Sequence, residues 1–182
     1  MTKTQRRTHF TTVNIALISL FSALWIVLNL TVAPLGFQLT RLPVVHGVIS
    51  LFILLLASWA TSRYGVASAV GIVGSIIVLL AGGPLPVLGF AAASFLFDAV
   101  LLVSGHRLSL KPGNVAVAVA ATVVSSYSAG VLNGILILNQ TPIFAITFWA
   151  GWTITGGIIG LVIALPIIAA FEKANVKKVK AD

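Results

Sequence analysis

The chain has 182 residues, 59% of them hydrophobic and only 8% charged, with a net charge of +8 and no cysteine. A water-soluble domain of this size needs a polar skin that this composition does not supply, so the chain reads as a single-domain, multi-pass membrane protein with no room for a soluble catalytic or nucleotide-binding module. Without Cys there is no disulfide, thiol nucleophile or zinc-thiolate site, and the Lys and Arg residues, gathered beside apolar segments, suit a lipid surface rather than nucleic acid.

Six apolar runs follow in order. The first spans about 13–33 and ends before Pro34-Leu35-Gly36. The preceding MTKTQRRTHFTT has the positive flank of a signal peptide, but the run of about 20 residues after it has no small-x-small cleavage site, which predicts a retained first helix. Ala16, Ser19, Ser22 and Ala23 fall at helical spacing and give this helix a narrow face of small residues that admits another backbone closely. A polar loop, Gly36 to Pro43, carries Gln38, Thr40 and Arg41. The second run, about 44–61, has His46 in its first turn.

From Arg63 to Asp98 there are 34 residues without a formal charge, more than the roughly 20 that one crossing needs. Gly82, Gly83, Pro84 and Pro86 interrupt that stretch, because glycine frees the backbone and proline cannot donate to a helical ladder. The third run is therefore about 64–81, with Gly65, Ala67, Ser68, Gly71, Gly74 and Ser75 on a face suited to packing. The fourth, about 85–104, carries Asp98, the one carboxylate away from the chain ends. The fifth, about 114–138, holds Ser125, Ser126 and Asn133. The sixth, about 143–171, is long enough to tilt, with a kink expected at Pro166.

An all-α bundle of six spans puts both termini on one side. Ten of the eleven Lys and Arg residues then lie on the terminal side and Arg41 alone on the other, which predicts cytoplasmic termini in the cell membrane. Under this topology Asp98 lies roughly 18 Å below Pro86, past the midplane. That depth suits pairing with a neighbouring helix, such as Ser125 or Ser126, better than contact with an outer solute.

Enzyme signatures are missing: there is no Walker loop, HExxH, GxSxG or pair of acids, so no enzymatic role and no cofactor is expected. His9, His46 and His106 are separated by the topology and cannot make one metal cluster. Polar and aromatic side chains instead concentrate in the outer half: Gln38, Arg41, His46, Asn133, Asn139, Gln140, Trp149 and Trp152. Trp149 and Trp152 are three apart, and Gly156 and Gly160 continue that side inward as GxxxG. Trp152 is either a deep belt residue or part of an internal site, and Asn133 is either interhelical glue or a ligand contact. The mixture fits a small planar solute held by stacking and a few directed hydrogen bonds. The alternative is a structural or assembly protein whose GxxxG faces serve only helix packing.

The six spans, the length, the small-residue face of helix 1 (Ala16, Ser19, Ala23) and the Tyr64-Gly65 start of a Gly/Ala-rich third helix resemble the substrate-binding membrane subunits, or S components, of energy-coupling factor (ECF) vitamin transporters. The resemblance implies capture of a solute at the outer side, with Gln38, Thr40 and Arg41 as loop contacts and Asn133, Trp149 and Trp152 in the pocket. It implies docking of the small patch on a transmembrane coupling subunit driven by two ATPases. The patch departs from the family pattern, since Leu20 follows Ala16 by four residues and Ser19 with Ala23 is the cleaner pair. No His adjoins Met1, unlike the metal-uptake branch, and two tryptophans suit thiamine precursors or related heterocycles.

Overall fold

A computed structural model describes residues 11–106 and 108–176, and all of its regular elements are helical. We number them α1 (Thr12–Thr40), α2 (Val44–Thr61), α3 (Val66–Leu80), α4 (Val87–Ser104), α5 (Pro112–Ile137) and α6 (Pro142–Lys173). Five are long and apolar enough to cross a membrane; α3, at 15 residues, is apolar but shorter. The chain is a polytopic helical membrane protein.

The register of contacts gives each helix its direction. Trp25 bonds Ser50 and Asn29 meets His46, so α1 and α2 are antiparallel. Ser68 meets Asp98 while Ser75 bonds the Val87 carbonyl, so α3 and α4 are antiparallel too. Gly156 lies against Val44 and Gly47, and the Trp59 indole donates to Glu172 at 3.3 Å, so α2 and α6 are parallel. Arg63, Lys111 and Lys173 therefore lie toward one end of the bundle and Arg41 toward the other, the asymmetry expected of a cytoplasmic basic end. Lys3, Arg6, Arg7, His9, Arg107, Lys177, Lys178 and Lys180 lie outside the described residues.

α2 is the central helix, with 67% of its apolar window buried against 17% for α1. Its close neighbour is α6, and glycine makes that crossing possible. A Cβ at Gly156 would collide with the Val44 carbonyl and one at Gly160 would sit 2.6 Å from the Val48 carbonyl, while Gly47 approaches the α6 backbone reciprocally. The GxxxG pair is thus consumed inside the bundle.

One boundary differs clearly from the sequence reading. α1 does not stop at residue 33; it runs through Pro34 to Thr40, and Arg41 closes it in the left-handed region at φ 57° with its N–H on the Phe37 carbonyl. Proline removes one donor from the ladder, a loss that membrane helices tolerate when neighbouring groups fill in. Here α1 is held on both sides of Pro34, by the Asn29–His46 contact and by close packing of Gly36 on Val45. Gln38 and Thr40 are consequently helical rather than in a loop, and Thr40 Oγ1 bonds back to the Gly36 carbonyl at 2.8 Å. α6 runs through Pro166 to Lys173, close to the 143–171 read from the sequence.

The Gly-Pro tip between α3 and α4 has a defined geometry. Gly82 takes φ 78°, its N–H bonds the Leu79 carbonyl at 3.0 Å, and the Gly83 N–H bonds Val78 at 2.8 Å. These two bonds form a Schellman cap, which uses a left-handed residue to satisfy the last carbonyls of a helix.

Candidate functional site

At the end of the bundle marked by Arg41, the helices part around a cavity of about 600 Å³, within the range of small-molecule sites. Its walls come from most of the chain. α1 supplies Asn29, Ala33, Pro34, Phe37 and Gln38; α2 supplies His46; the tip supplies Gly82, Pro84, Pro86 and Val87; α5 and α6 supply Asn133, Leu138, Trp149 and Thr153. Among the described residues no Asp, Glu, Lys or Arg lines it.

Below the cavity sits an ordered polar and aromatic cluster. Trp25 is fully buried, stacks on Phe90 with ring centres 5.2 Å apart, and donates its indole N–H to Ser50 at 3.0 Å. The His46 ring meets Trp25 and Phe90 edge-on, at 6.1 and 5.8 Å. The Asn29 amide nitrogen donates to the Trp25 carbonyl at 2.9 Å, which fixes the amide: its oxygen is the atom facing His46 Nδ1, 2.5 Å away. Because that oxygen can only accept, Nδ1 carries the proton and donates. In the neutral imidazole, Nε2 is then a bare acceptor, and it has no hydrogen-bond partner among the described residues.

Two further polar atoms in the wall residues are equally orphaned. The Asn133 amide oxygen and the Trp149 indole nitrogen are buried without hydrogen bonds. An unmade bond at such an atom costs about 1–3 kcal/mol. Local backbone irregularity sets two of them. α5 ends in a π turn, Asn133–Ile137, closed by the Leu138 N–H on the Asn133 carbonyl at 2.9 Å, and α6 contains a second, Ala145–Trp149. π turns shift the register by one residue and recur at functional sites. The two lie against each other because Gly134 has no Cβ; one placed there would sit 2.6 Å from the Ala145 side chain. Gly89 of α4 makes room for the Asn133 side chain in the same way.

Of the six residues expected to contact a solute, the structure brings Gln38, His46, Asn133 and Trp149 together around the cavity. Arg41 is exposed at the cap of α1 and does not line it. Trp152 does not line it either: at 37% exposure it points away from the bundle, because three residues of helix rotate it about 60° from Trp149, past the narrow strip of Thr153, Gly156 and Gly160 that faces inward. Asn29 and Trp25 were missed. A lone amide in the middle of an apolar run, four residues after a tryptophan, was the available signal. Gly82, Pro84 and Pro86 of the α3–α4 tip also line the cavity.

At the opposite end, Asp98 is fully buried and pairs with neither Ser125 nor Ser126. One of its oxygens accepts from the Ser68 backbone N–H at 2.7 Å and the Ser68 hydroxyl at 2.6 Å. Ser68 stands in the first turn of α3, where N–H groups lack helical partners, so Asp98 caps α3 from α4. Ser126 is instead packed on Gly157. His106, in the following loop, is buried against Tyr64; burial pushes its pKa below the ordinary value, and the Asp98 charge opposes this. Among the described residues no group of three or more His, Cys, Asp or Glu could hold a metal. Ala16, Ser19 and Ala23 are exposed along the outward side of α1, while Ser22 turns into the bundle.

No protein-family model matches this chain, and neither a curated protein nor a solved structure matches it.

Proposed function

We propose that this protein is the substrate-capture subunit of an ATP-driven importer of the ECF type, residing in the cell membrane and binding a small heterocyclic solute, such as a vitamin or a thiamine-related precursor. The observation that carries the reading is the 600 Å³ cavity at the Arg41 end, whose wall residues hold three buried polar atoms without partners. A wall meant only for packing would pair such atoms or replace them by carbon. The long first helix adds support, since its exposed side presents Ala16, Ser19 and Ala23 where a transmembrane coupling subunit would seat, with two ATPases beyond it. The GxxxG pair supports no outside partner, because α2 already occupies it.

The test is saturable binding by the purified chain in lipid nanodiscs, screened by thermal shift against vitamins and their precursors, with mass spectrometry of any retained small molecule. One compound should bind with 1:1 stoichiometry, and Asn133→Ala and Trp149→Ala should each weaken it about tenfold or more. Absence of both a thermal shift and a retained molecule would refute capture. Copurification with ATPases tests the importer assignment separately.

A further inference from the structure

The capture reading leaves the chemical class of solute open, and the surface that the cavity presents narrows it. We propose that the cavity takes an uncharged, mainly apolar solute, held by fit against carbon rather than by directed polar contacts. The inference rests on the capture reading and adds charge and polarity to it.

Polar side chains stand in the wall, but most of their polar atoms are spent or covered. Asn29 gives its amide nitrogen to the Trp25 carbonyl and its oxygen to His46 Nδ1. The Thr153 hydroxyl donates to the Trp149 carbonyl at 2.7 Å. His46 Nε2, the Asn133 amide oxygen and the Trp149 indole nitrogen are buried within the wall rather than open at its surface. Of the polar side chains that line the cavity, only Gln38, on the last turn of α1, is exposed. The backbone adds little more: Pro34, Pro43, Pro84 and Pro86, four of the seven prolines in the chain, line the cavity, and none has an N–H to donate. Phe37, Leu42, Val87 and Leu138 extend a lining that is mostly carbon.

An ion fares worst against such a surface. Among the described residues no cationic side chain lines the cavity to receive a carboxylate or phosphate, and no carboxylate lines it to receive an ammonium group. Arg41 is exposed at the α1 cap and does not line the wall. Taking an unpaired ion out of water costs more than burial of a small apolar body returns. Each methylene that the wall covers, by contrast, tightens binding about fourfold.

The experiment titrates the full chain in nanodiscs by calorimetry, with empty nanodiscs subtracting partition into lipid. One scaffold compares methyl, ethyl and propyl nicotinate with the nicotinate anion and the N-methylnicotinamide cation. The other compares methyl, ethyl and propyl indole-3-acetate with the indole-3-acetate anion and the tryptamine cation. In at least one scaffold the esters should bind about fourfold tighter per added methylene, and about a hundredfold tighter than either ion. Phe37→Ala, at an exposed position of the wall, should weaken the esters about tenfold, while Arg41→Ala leaves them unchanged. An ion that binds as tightly as its esters, an affinity indifferent to ester length, or ester binding that survives Phe37→Ala overturns this proposal and leaves capture standing. A retained natural molecule counts by the same rule: an uncharged, mainly hydrocarbon compound supports the proposal, and a carboxylate, phosphate or ammonium compound overturns it. If no probe binds and no molecule is retained, capture itself falls.

Discussion

Asp98→Ala is expected to destabilise the bundle strongly while Asp98→Asn leaves it nearly intact. The wild-type carboxyl places one oxygen 2.7 Å from the Ser68 N–H and 2.6 Å from the Ser68 hydroxyl, and its other oxygen has no hydrogen bond. Alanine removes both bonds and leaves two donors buried in a first turn that has no helical carbonyl to offer. At about 1–3 kcal/mol for each orphaned donor, the loss is about 2–5 kcal/mol, the lower end applying if the serine hydroxyl turns back onto its own helix. Asparagine keeps a carbonyl oxygen that can accept both donors, so its expected loss is about 1 kcal/mol or less. Reversible unfolding of the detergent-solubilised protein, followed by tryptophan fluorescence against denaturant, measures the difference. Solute binding at the far end should be unchanged for Asp98→Asn. The capping argument is refuted if Asp98→Ala is as stable as wild type, or if Asp98→Asn abolishes binding in a protein that remains folded.

Gly89→Ala should push the Asn133 side chain from its place, because the added Cβ would occupy the position of the amide oxygen. The expected result is a binding loss of about 1–3 kcal/mol with little change in helix content, measured by titration and circular dichroism. Gly156→Ala should destabilise by about 1–3 kcal/mol through the Val44 carbonyl, whereas Gly113→Ala, where a Cβ meets nothing within 4 Å, should be neutral; parallel melting curves decide. Stability should also fall in mild acid. His106 is held below its ordinary pKa of 6.5 by burial, so the unfolded chain takes up a proton first as pH drops through about 6.5, and the folded state loses stability from there down to the lowered folded pKa. A melting temperature that declines below pH 6.5 in wild type and less in His106→Gln is the expected outcome; parallel profiles would count against it.

Much of the frame was readable in residue order because bilayer thickness imposes so strong a length rule. The run 44–61 corresponds to α2 as observed, and the glycine and proline content at 82–86 located the α3–α4 tip. Proline misled at residue 34, where the chemistry of one missing donor was read as a stop although packing on both sides carried the helix onward. The site was partly legible for a related reason. Polar type and approximate depth picked out Gln38, His46, Asn133 and Trp149, but the direction of a side chain depends on rotation about the helix. Trp152 was lost to a rotation of about 60°, and the two π turns, which carry no composition signal, set the register at Asn133 and Trp149. Asp98 found Ser68 instead of the α5 serines because the first turn of α3 offers a backbone N–H without a helical acceptor beside a hydroxyl, whereas Ser125 and Ser126 each offer a hydroxyl alone.

The most loosely packed helix is also the one that furnishes five residues of the cavity wall. α1 touches the bundle chiefly through α2 and α3, yet Asn29, Ala33, Pro34, Phe37 and Gln38 all belong to it, and Asn29 dictates which nitrogen of His46 is free. Lateral adhesion of α1 and occupancy of the cavity are therefore linked quantities: a solute that bridges α1 to the other walls glues the helix down. By reciprocity, any force that draws α1 sideways from the lipid-facing side loosens the hold on the solute by an equal free energy.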